Sequence, residues 1–350
     1  MVKPCHEMNI YMSPTQAETQ NPAETGLEAH LQAFASAHFG RDAQSIRRLT
    51  GGASQEIWQI NMSDDEAYIV RRPPGGELRQ GSNQVTPDDE AKLLQTVFAA
   101  GIRVPEIVYN FLPGDPLHPG YVMRFVAGET IARKILRDTE FDPIRGQLAY
   151  QCGAALAAIH AIPVETCPDL PTSFAKDELD KYADILRQHG HPQPVFELAI
   201  RWLRDNLPAS RNASLVHGDY RNGNLIIRPD TGLASILDWE LAHLGDPMED
   251  LGWICVPSWR FGAVDNPVGG FGTREDLYAG YQDHGGQVDP AIARYWEIFG
   301  TLKWGIMCLI MVEIFTDGID PSIERAAIGR RASETQIDLL IMLMEKNAAY

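Results

Sequence analysis

The sequence predicts an α+β fold in two lobes: a small antiparallel sheet with one main helix, then a larger and mostly helical part. Three observations carry this reading. Between residues 46 and 126, short apolar runs at strand period alternate with turns, and one helical pattern sits among them. From residue 127 onward the apolar spacing becomes helical. A length of 350 residues also suits two lobes sharing a cleft better than one small domain.

The elements follow in order. Residues 1–24 are polar, carry Pro14 and Pro22, and read as a flexible lead-in. Residues 26–39 place Leu27, Leu31, Phe34 and Ala35 at helical spacing. Strands are expected at 46–49, 57–61 and 67–71, with Thr50-Gly51-Gly52-Ala53-Ser54 as a turn of small residues. Gly51 and Gly52 lack a Cβ, so backbone N–H groups there can approach a phosphate closely. Most Gly-Gly turns are only turns. This one gains weight from Arg71, a cation ending the third strand and able to bind as a fork; Arg71 and Arg72 before Pro73 would also suit a solvated strand end.

Thr86 caps a helix over residues 87–100, with acidic residues in its first turn and Leu93, Leu94 and Val97 as its apolar stripe. Glu90 is the candidate partner for the Arg71 cation, with Asp88 and Asp89 as rivals that also favour a helix N-terminus. Strands at 104–109 and 121–126 close the sheet, and Ala127-Gly128-Glu129 breaks the last one. The expected organisation is therefore a lead-in over 1–24, a sheet lobe over 25–126 ending in a hinge, and a helical lobe over 127–350.

In the helical part, Ile144, Leu148, Cys152, Leu156 and Ile159 mark one helix, and 179–187 and 195–206 two more. After residue 245 a helix opens with Asp246 as N-cap and Pro247 at its first position. Asp250 in that helix is a buried carboxylate that must find donors, which makes it structural. Gly269-Gly270-Phe271-Gly272 reads as a flexible loop. Residues 302–315 read as a buried helix, and 323–344 as one or two helices burying Ile337, Leu340, Ile341 and Met344.

The stretch at 215–252 interrupts the helices and concentrates chemistry. It holds His217-Gly218-Asp219-Tyr220-Arg221-Asn222-Gly223-Asn224, then two short apolar strands joined at Pro229-Asp230-Thr231-Gly232, then Asp238-Trp239-Glu240. The hairpin returns Asp238 beside Asn224, so both can face one ion. Two hard oxygen ligands with phosphate oxygens and water suit Mg²⁺. An Asp to accept a hydroxyl proton, with an Asn and a second Asp to hold Mg²⁺ against ATP, is the minimum set for phosphoryl transfer. Asp219 takes the first role, and Asn224 and Asp238 the second, while His217 orients the loop.

Composition limits the alternatives. A net charge of −17 argues against a nucleic-acid partner. The five cysteines are scattered without Cys-x-x-Cys spacing, which reads as reduced thiols of a cytoplasmic protein. The N-terminus lacks the apolar core of a signal peptide. Residues 304–312 are too short a run to span a membrane. Oligomeric state stays open.

These features together resemble the aminoglycoside phosphotransferase/choline kinase-like superfamily, and within it the kinase-like domain fused to certain acyl-CoA dehydrogenases. The resemblance runs from about residue 46 to the last helix and implies a bilobal, protein-kinase-like fold. It implies that Asp219 is the catalytic base and that Asn224 and Asp238 are metal ligands. It implies that Ser54 and its neighbours form the phosphate loop, that Arg71 stands where most members have lysine, and that Glu90 is the helix glutamate. Arg124 and Val126 match the hinge positions whose backbone holds adenine, and Asp250 a buried aspartate under the catalytic loop.

The expected acceptor is a small molecule with a hydroxyl. Trp253, Trp259, Arg260, Phe261 and Trp304 suggest an apolar acceptor with one anionic group, such as a hydroxyacyl thioester or another lipophilic alcohol. Glu240, with Asp246, would instead help an acidic pocket for an aminoglycoside. A non-catalytic nucleotide-binding module on the same fold is the alternative. A metal-assisted hydrolase built on His217, Asp219 and His243 lacks any supporting spacing.

Overall fold

The computed structural model describes residues 22–49, 55–77, 85–209, 211–320 and 322–345. The expectations for most of the lead-in and for Gly51, Gly52 and Ser54 lie outside these residues. The first helix, α1 (Pro22–Phe39), starts earlier than its apolar spacing suggested and takes in the last residues assigned to the lead-in.

Five strands follow: β1 (Ala43–Leu49), β2 (Glu56–Met62), β3 (Ala67–Arg72), β4 (Ile107–Asn110) and β5 (Tyr121–Arg124), with α2 (Pro87–Ala99) between β3 and β4. They form one antiparallel sheet in the order β1-β2-β3-β5-β4. Strand period sorts the side chains. Trp58, Ile60 and Met62 of β2 and Tyr68 and Val70 of β3 share a core with Leu31 and Ala35 of α1. Arg71 is on the opposite face of β3 from Val70, paired in register with Tyr121. On this face α2 closes over the sheet. Its Thr86 cap accepts the Asp89 N–H at 3.2 Å, and it buries Glu90, Leu93, Leu94 and Val97. Those apolar residues belong to the core of the helical lobe rather than to the core under α1.

The helical part contains α3 (Ala132–Arg137), α4 (Asp142–Arg145), α5 (Leu148–His160), α6 (Ala175–His189) and α7 (Pro194–Asp205). The single helix expected across Ile144 to Ile159 is broken between α4 and α5. Next come β6 (Ser214–Val216), β7 (Leu225–Arg228), β8 (Gly232–Ile236) and β9 (His243–Gly245). β7 and β8 make the expected hairpin. β6 pairs with β9, a strand too short to register as a pattern. The chain ends in α8 (Met248–Trp253), α9 (Arg274–Asp283), α10 (Pro290–Thr316), α11 (Ile323–Gly329) and α12 (Ala332–Met344).

Helix α10 is long and apolar enough to cross a membrane by length and composition. Here Trp296, Phe299, Leu302 and Ile306 are buried, and α10 packs on α6, α7, α8, α11 and α12. Helices α5 and α9 approach through glycine. A Cβ on Gly153 would lie 2.0 Å from the Leu277 carbonyl oxygen, and one on Gly280 2.0 Å from that of Tyr150.

Two expectations are corrected. Residues 269–272 are no free loop. They are buried, bridge Val268 to Gly272, and use positive φ at Gly269 and Gly270 to turn tightly against Asn222. Ile337, Leu340, Ile341 and Met344 face outward, while Ala332, Thr335, Leu339 and Met342 are buried. The last helix carries two apolar faces, so spacing alone could not choose between them.

Candidate functional site

The site forms where the turn after β8 meets α2 and β3. The Trp239 N–H donates to Glu90 Oε1 at 3.2 Å, and the Val85 N–H donates to the Glu240 carbonyl at 2.9 Å. The start of α2 is thus stitched to the Asp238-Trp239-Glu240 turn. The hinge end is fixed likewise, because Glu129 and Ile227 exchange backbone bonds at 2.9 Å.

Arg71 is the centre of one half. Its Nη2 donates to Asp238 Oδ1 at 2.6 Å and to Glu240 Oε2 at 2.9 Å, and its Nε lies 3.5 Å from Glu90 Oε2. One guanidinium therefore faces three carboxylates, as its planar fork allows. Burial opposes the Arg71 charge, but Glu90, Asp238 and Glu240 raise its pKa well above the usual value. Burial pushes the Glu90 carboxyl up to about 7, and Arg71 offsets only part of that. Burial also acts to raise Asp238, but the Arg71 charge and hydrogen bond hold it below the ordinary carboxylate range. Glu240 is corrected from an acceptor contact to a partner of Arg71: it also accepts from Gln55 Nε2 at 3.3 Å, on the sheet side of the site.

Asp219 is the centre of the other half. Its Oδ1 accepts from Trp253 Nε1 at 2.7 Å and its Oδ2 from Asn224 Nδ2 at 2.7 Å. Arg221 Nε reaches both oxygens, at 3.0 and 3.2 Å. All of these groups donate to the one carboxylate. Asn224 also donates to the Asp219 carbonyl at 2.9 Å, and its own carbonyl accepts the Leu237 N–H at 2.8 Å. That last bond carries the hairpin's return, so Asp238 follows directly beside Asn224. Asp238 has φ +69, a left-handed conformation that Asp tolerates better than most side chains.

Beneath the loop, Asp250 is fully buried and satisfied. It accepts the His217 N–H at 2.8 Å, the Gly218 N–H at 3.0 Å and a bond from His160 Nε2 at 3.1 Å. Burial alone would raise its carboxyl; the His160 bond and the surrounding donors bring it below the usual value. Buried His217 has its pKa lowered by desolvation. Its Nε2 meets the Leu237 carbonyl at 3.0 Å and its Nδ1 accepts the Asp219 N–H at 3.2 Å, so the geometry selects the neutral ring with its proton on Nε2.

The ligand set suits Mg²⁺. With the Asn224 nitrogen turned to Asp219, its amide oxygen faces the other way. Asp238 Oδ2 has no hydrogen bond among the described residues. Among the described residues no group of three or more His, Cys, Asp or Glu could hold a metal by itself. Two hard oxygens therefore need phosphate oxygens and water to complete an octahedron, which is how Mg²⁺ binds with nucleotides.

The other expected residues separate. Trp253 and Trp259 are buried and packed, ring centroids 5.4 Å apart, with Trp304 5.0 Å beyond. Trp253 touches Asp219, and Arg221 lies 4.7 Å over the Trp259 ring. Arg260 is corrected: its Nη2 bonds the Cys255 carbonyl at 2.8 Å and Glu297 at 2.9 Å. It lines a groove of about 2000 Å³ with Arg274 and Arg294 that includes none of Asp219, Asn224 and Asp238. At the hinge, the Arg124 side chain turns away to Glu106 at 2.7 Å, and Phe125 donates its N–H to Ala67 at 3.0 Å. The Val126 N–H has no backbone partner among the described residues, leaving that edge open. Arg221 is a site residue that composition and spacing did not assign; its place two residues after Asp219 was the available signal.

Comparison with known proteins gives consistent results. The model of the phosphotransferase enzyme family matches residues 45–285. Acyl-CoA dehydrogenase family member 10 of Mus musculus is 26% identical over 251 residues, covering 67% of this chain and 22% of that protein. The chain thus spans well under half the length of the curated relatives it matches. A choline/ethanolamine kinase family protein from Mesorhizobium loti superposes with a TM-score of 0.65 at 18% identity, covering 92% of this chain and 96% of that one. The GDP complex of aminoglycoside 2'-phosphotransferase-IIIa superposes with a TM-score of 0.66 at 17% identity, over 89% and 98%. At these identities the two structures establish a shared fold.

Proposed function

The chain belongs to the phosphotransferase enzyme family, and from that premise we propose that it moves the γ-phosphate of ATP to a hydroxyl of a small molecule. The observation carrying this is the Asp219–Asn224–Asp238 arrangement, one loop and one hairpin holding a base and two oxygen ligands side by side. Asp219 orients the acceptor hydroxyl and takes its proton. The Asn224 oxygen and the Asp238 carboxylate would hold Mg²⁺, which when bound neutralises phosphate charge. Arg71 lies where it can turn from Asp238 toward the α and β phosphates, with Glu90 and Glu240 keeping it in place. The open Val126 edge would receive the base. A bound GDP in a protein of the same fold supports a nucleotide in this cleft.

Local charge supports one acceptor class over the other. Arg221 over Trp259 and Lys303 over Trp253 put two cations beside the aromatic wall near Asp219. An aminoglycoside is polycationic and would be repelled there. A neutral or anionic hydroxyl compound, of lipophilic or hydroxyacyl type, is favoured. The reduced cysteines Cys152, Cys167, Cys255 and Cys308 support a cytoplasmic setting.

The test is Mg²⁺-dependent turnover of ATP and GTP with pooled acceptors: aminoglycosides, amino alcohols, hydroxyacyl thioesters and lipophilic alcohols. Turnover with the last two pools, lost in Asp219→Asn, is expected. Turnover with aminoglycosides alone would overturn the acceptor class. Nucleotide binding with silence in every pool would favour a regulatory module.

A further inference from the structure

Arg221 stands between Asp219 and Asn224 in sequence, and its contacts differ from those of a simple ion pair. A guanidinium that only neutralises a carboxylate commonly presents two parallel N–H bonds. Here a single Nε–H spans both oxygens of Asp219, at 3.0 and 3.2 Å. Neither terminal amino group bonds another described residue. The guanidinium lies 4.7 Å over the Trp259 ring, which fixes it without consuming its N–H donors. Gly223 then clears space for it, since a Cβ at that position would fall 2.7 Å from Nη1. One terminal amino group is therefore held against Gly223, the residue just before Asn224. The side chain is 26% exposed.

We propose that Arg221 is a catalytic residue whose Nη1 and Nη2 groups hydrogen-bond the phosphoryl group as it crosses from nucleotide to acceptor. The inference rests on the phosphotransferase reading above. In that step the acceptor oxygen forms a bond to the γ-phosphorus. The bond from phosphorus to the β–γ bridging oxygen breaks, and its electron pair leaves with the diphosphate. The acceptor proton goes to Asp219. Negative charge is spread over the three phosphoryl oxygens in flight, and a cation already fixed beside them needs no reorganisation to stabilise it. Asp219 and Trp259 together aim the guanidinium, while its four terminal N–H bonds, unspent among the described residues, remain for the phosphoryl oxygens.

The experiment uses the full chain with ADP, Mg²⁺ and fluoroaluminate, a flat anion that stands in for the phosphoryl group in flight, read by calorimetry. Wild type should bind ADP more tightly with fluoroaluminate than without. Arg221→Ala should lose roughly 100-fold of that gain while binding ADP alone within about twofold of wild type, and Arg221→Lys should recover part of it. Asp219→Asn removes the carboxylate charge but keeps the guanidinium, and should retain most of the gain. A gain unchanged in Arg221→Ala overturns the proposal. So does a gain lost equally in Asp219→Asn, which would make Arg221 a positioning residue acting through Asp219, and so does wild type that binds ADP with no gain. Wild type that binds no ADP at all overturns the phosphotransferase reading itself and the role of Arg221 with it.

Discussion

Arg71 Nη2 lies 2.6 Å from Asp238 Oδ1, so the strand cation and the carboxylate proposed to hold Mg²⁺ sit against each other. In the proposed reaction a metal nucleotide would exchange this contact for two others. Asp238→Ala removes the proposed metal oxygen and leaves Arg71 on Glu240 and Glu90. Nucleotide should then bind with nearly the same affinity with and without Mg²⁺, whereas wild type should show a clear Mg²⁺ dependence. Calorimetric titration checks this; a preserved Mg²⁺ dependence would move the metal site elsewhere.

Asp219→Asn keeps the side-chain shape and the Trp253 and Arg221 neighbours but removes the proton acceptor. We expect kcat to fall by about 10³-fold, within the range for a lost general base. The KM for nucleotide should change less than about threefold. Steady-state kinetics with the acceptor found above decide it, and unchanged kcat would dismiss Asp219 as the base.

Trp253 donates to Asp219 Oδ1 at 2.7 Å and is buried in the tryptophan cluster. Trp253→Phe keeps most of the packing and deletes the N–H. A charge-assisted bond is worth about 1.5–3 kcal/mol, so kcat should drop by roughly tenfold or more. Steady-state kinetics check it; a kcat identical to wild type would make the indole N–H incidental.

Asp250→Ala leaves two backbone N–H groups and His160 without their buried partner. The expected loss is about 3–5 kcal/mol, typical of breaking a buried charged network. Urea unfolding measures it. The folded Asp250 pKa is depressed, so its contribution is present above the ordinary carboxylate pKa and is lost as pH falls. The difference between wild type and variant should therefore shrink on acidification.

Glu90 has the opposite sign. Its folded pKa is raised from 4.5 to about 7, so the folded chain holds a proton that the unfolded chain releases between those values. Stability from this group is full below about 4.5 and is lost as pH rises toward about 7. Glu90→Gln should flatten that part of the stability profile. Urea unfolding of both chains across this window checks it; parallel profiles would mean that Glu90 is ionised throughout.

Much of the fold was legible because period decides it. The strands around Trp58 and Val70, the capped helix after Thr86 and the hairpin between Asn224 and Asp238 all follow from spacing and turn chemistry. Asp219, Asn224, Asp238, Glu90 and Asp250 lie together as their motif implied. Glu240 and Arg260 were misplaced because chain proximity to the motif does not fix direction. Glu240 turns to the sheet, and Arg260 turns to Glu297. The glycines at 269, 270 and 272 read as freedom, yet they serve close packing: the Gly269 carbonyl accepts from Asn222 at 2.7 Å. Arg221 was hidden because nothing in a linear pattern says which guanidinium nitrogens stay unspent.

Helix α2 is tied to the sheet by sequence, but its apolar face is spent in the other lobe's core. The two lobes are therefore not interchangeable modules. A fragment ending at residue 126 would expose Leu93, Leu94 and Val97 to water, and a fragment starting there would lack part of its interior. The chain should melt in a single cooperative transition, and attempts to graft its sheet onto a related helical lobe would have to carry the matching surface for α2 with it.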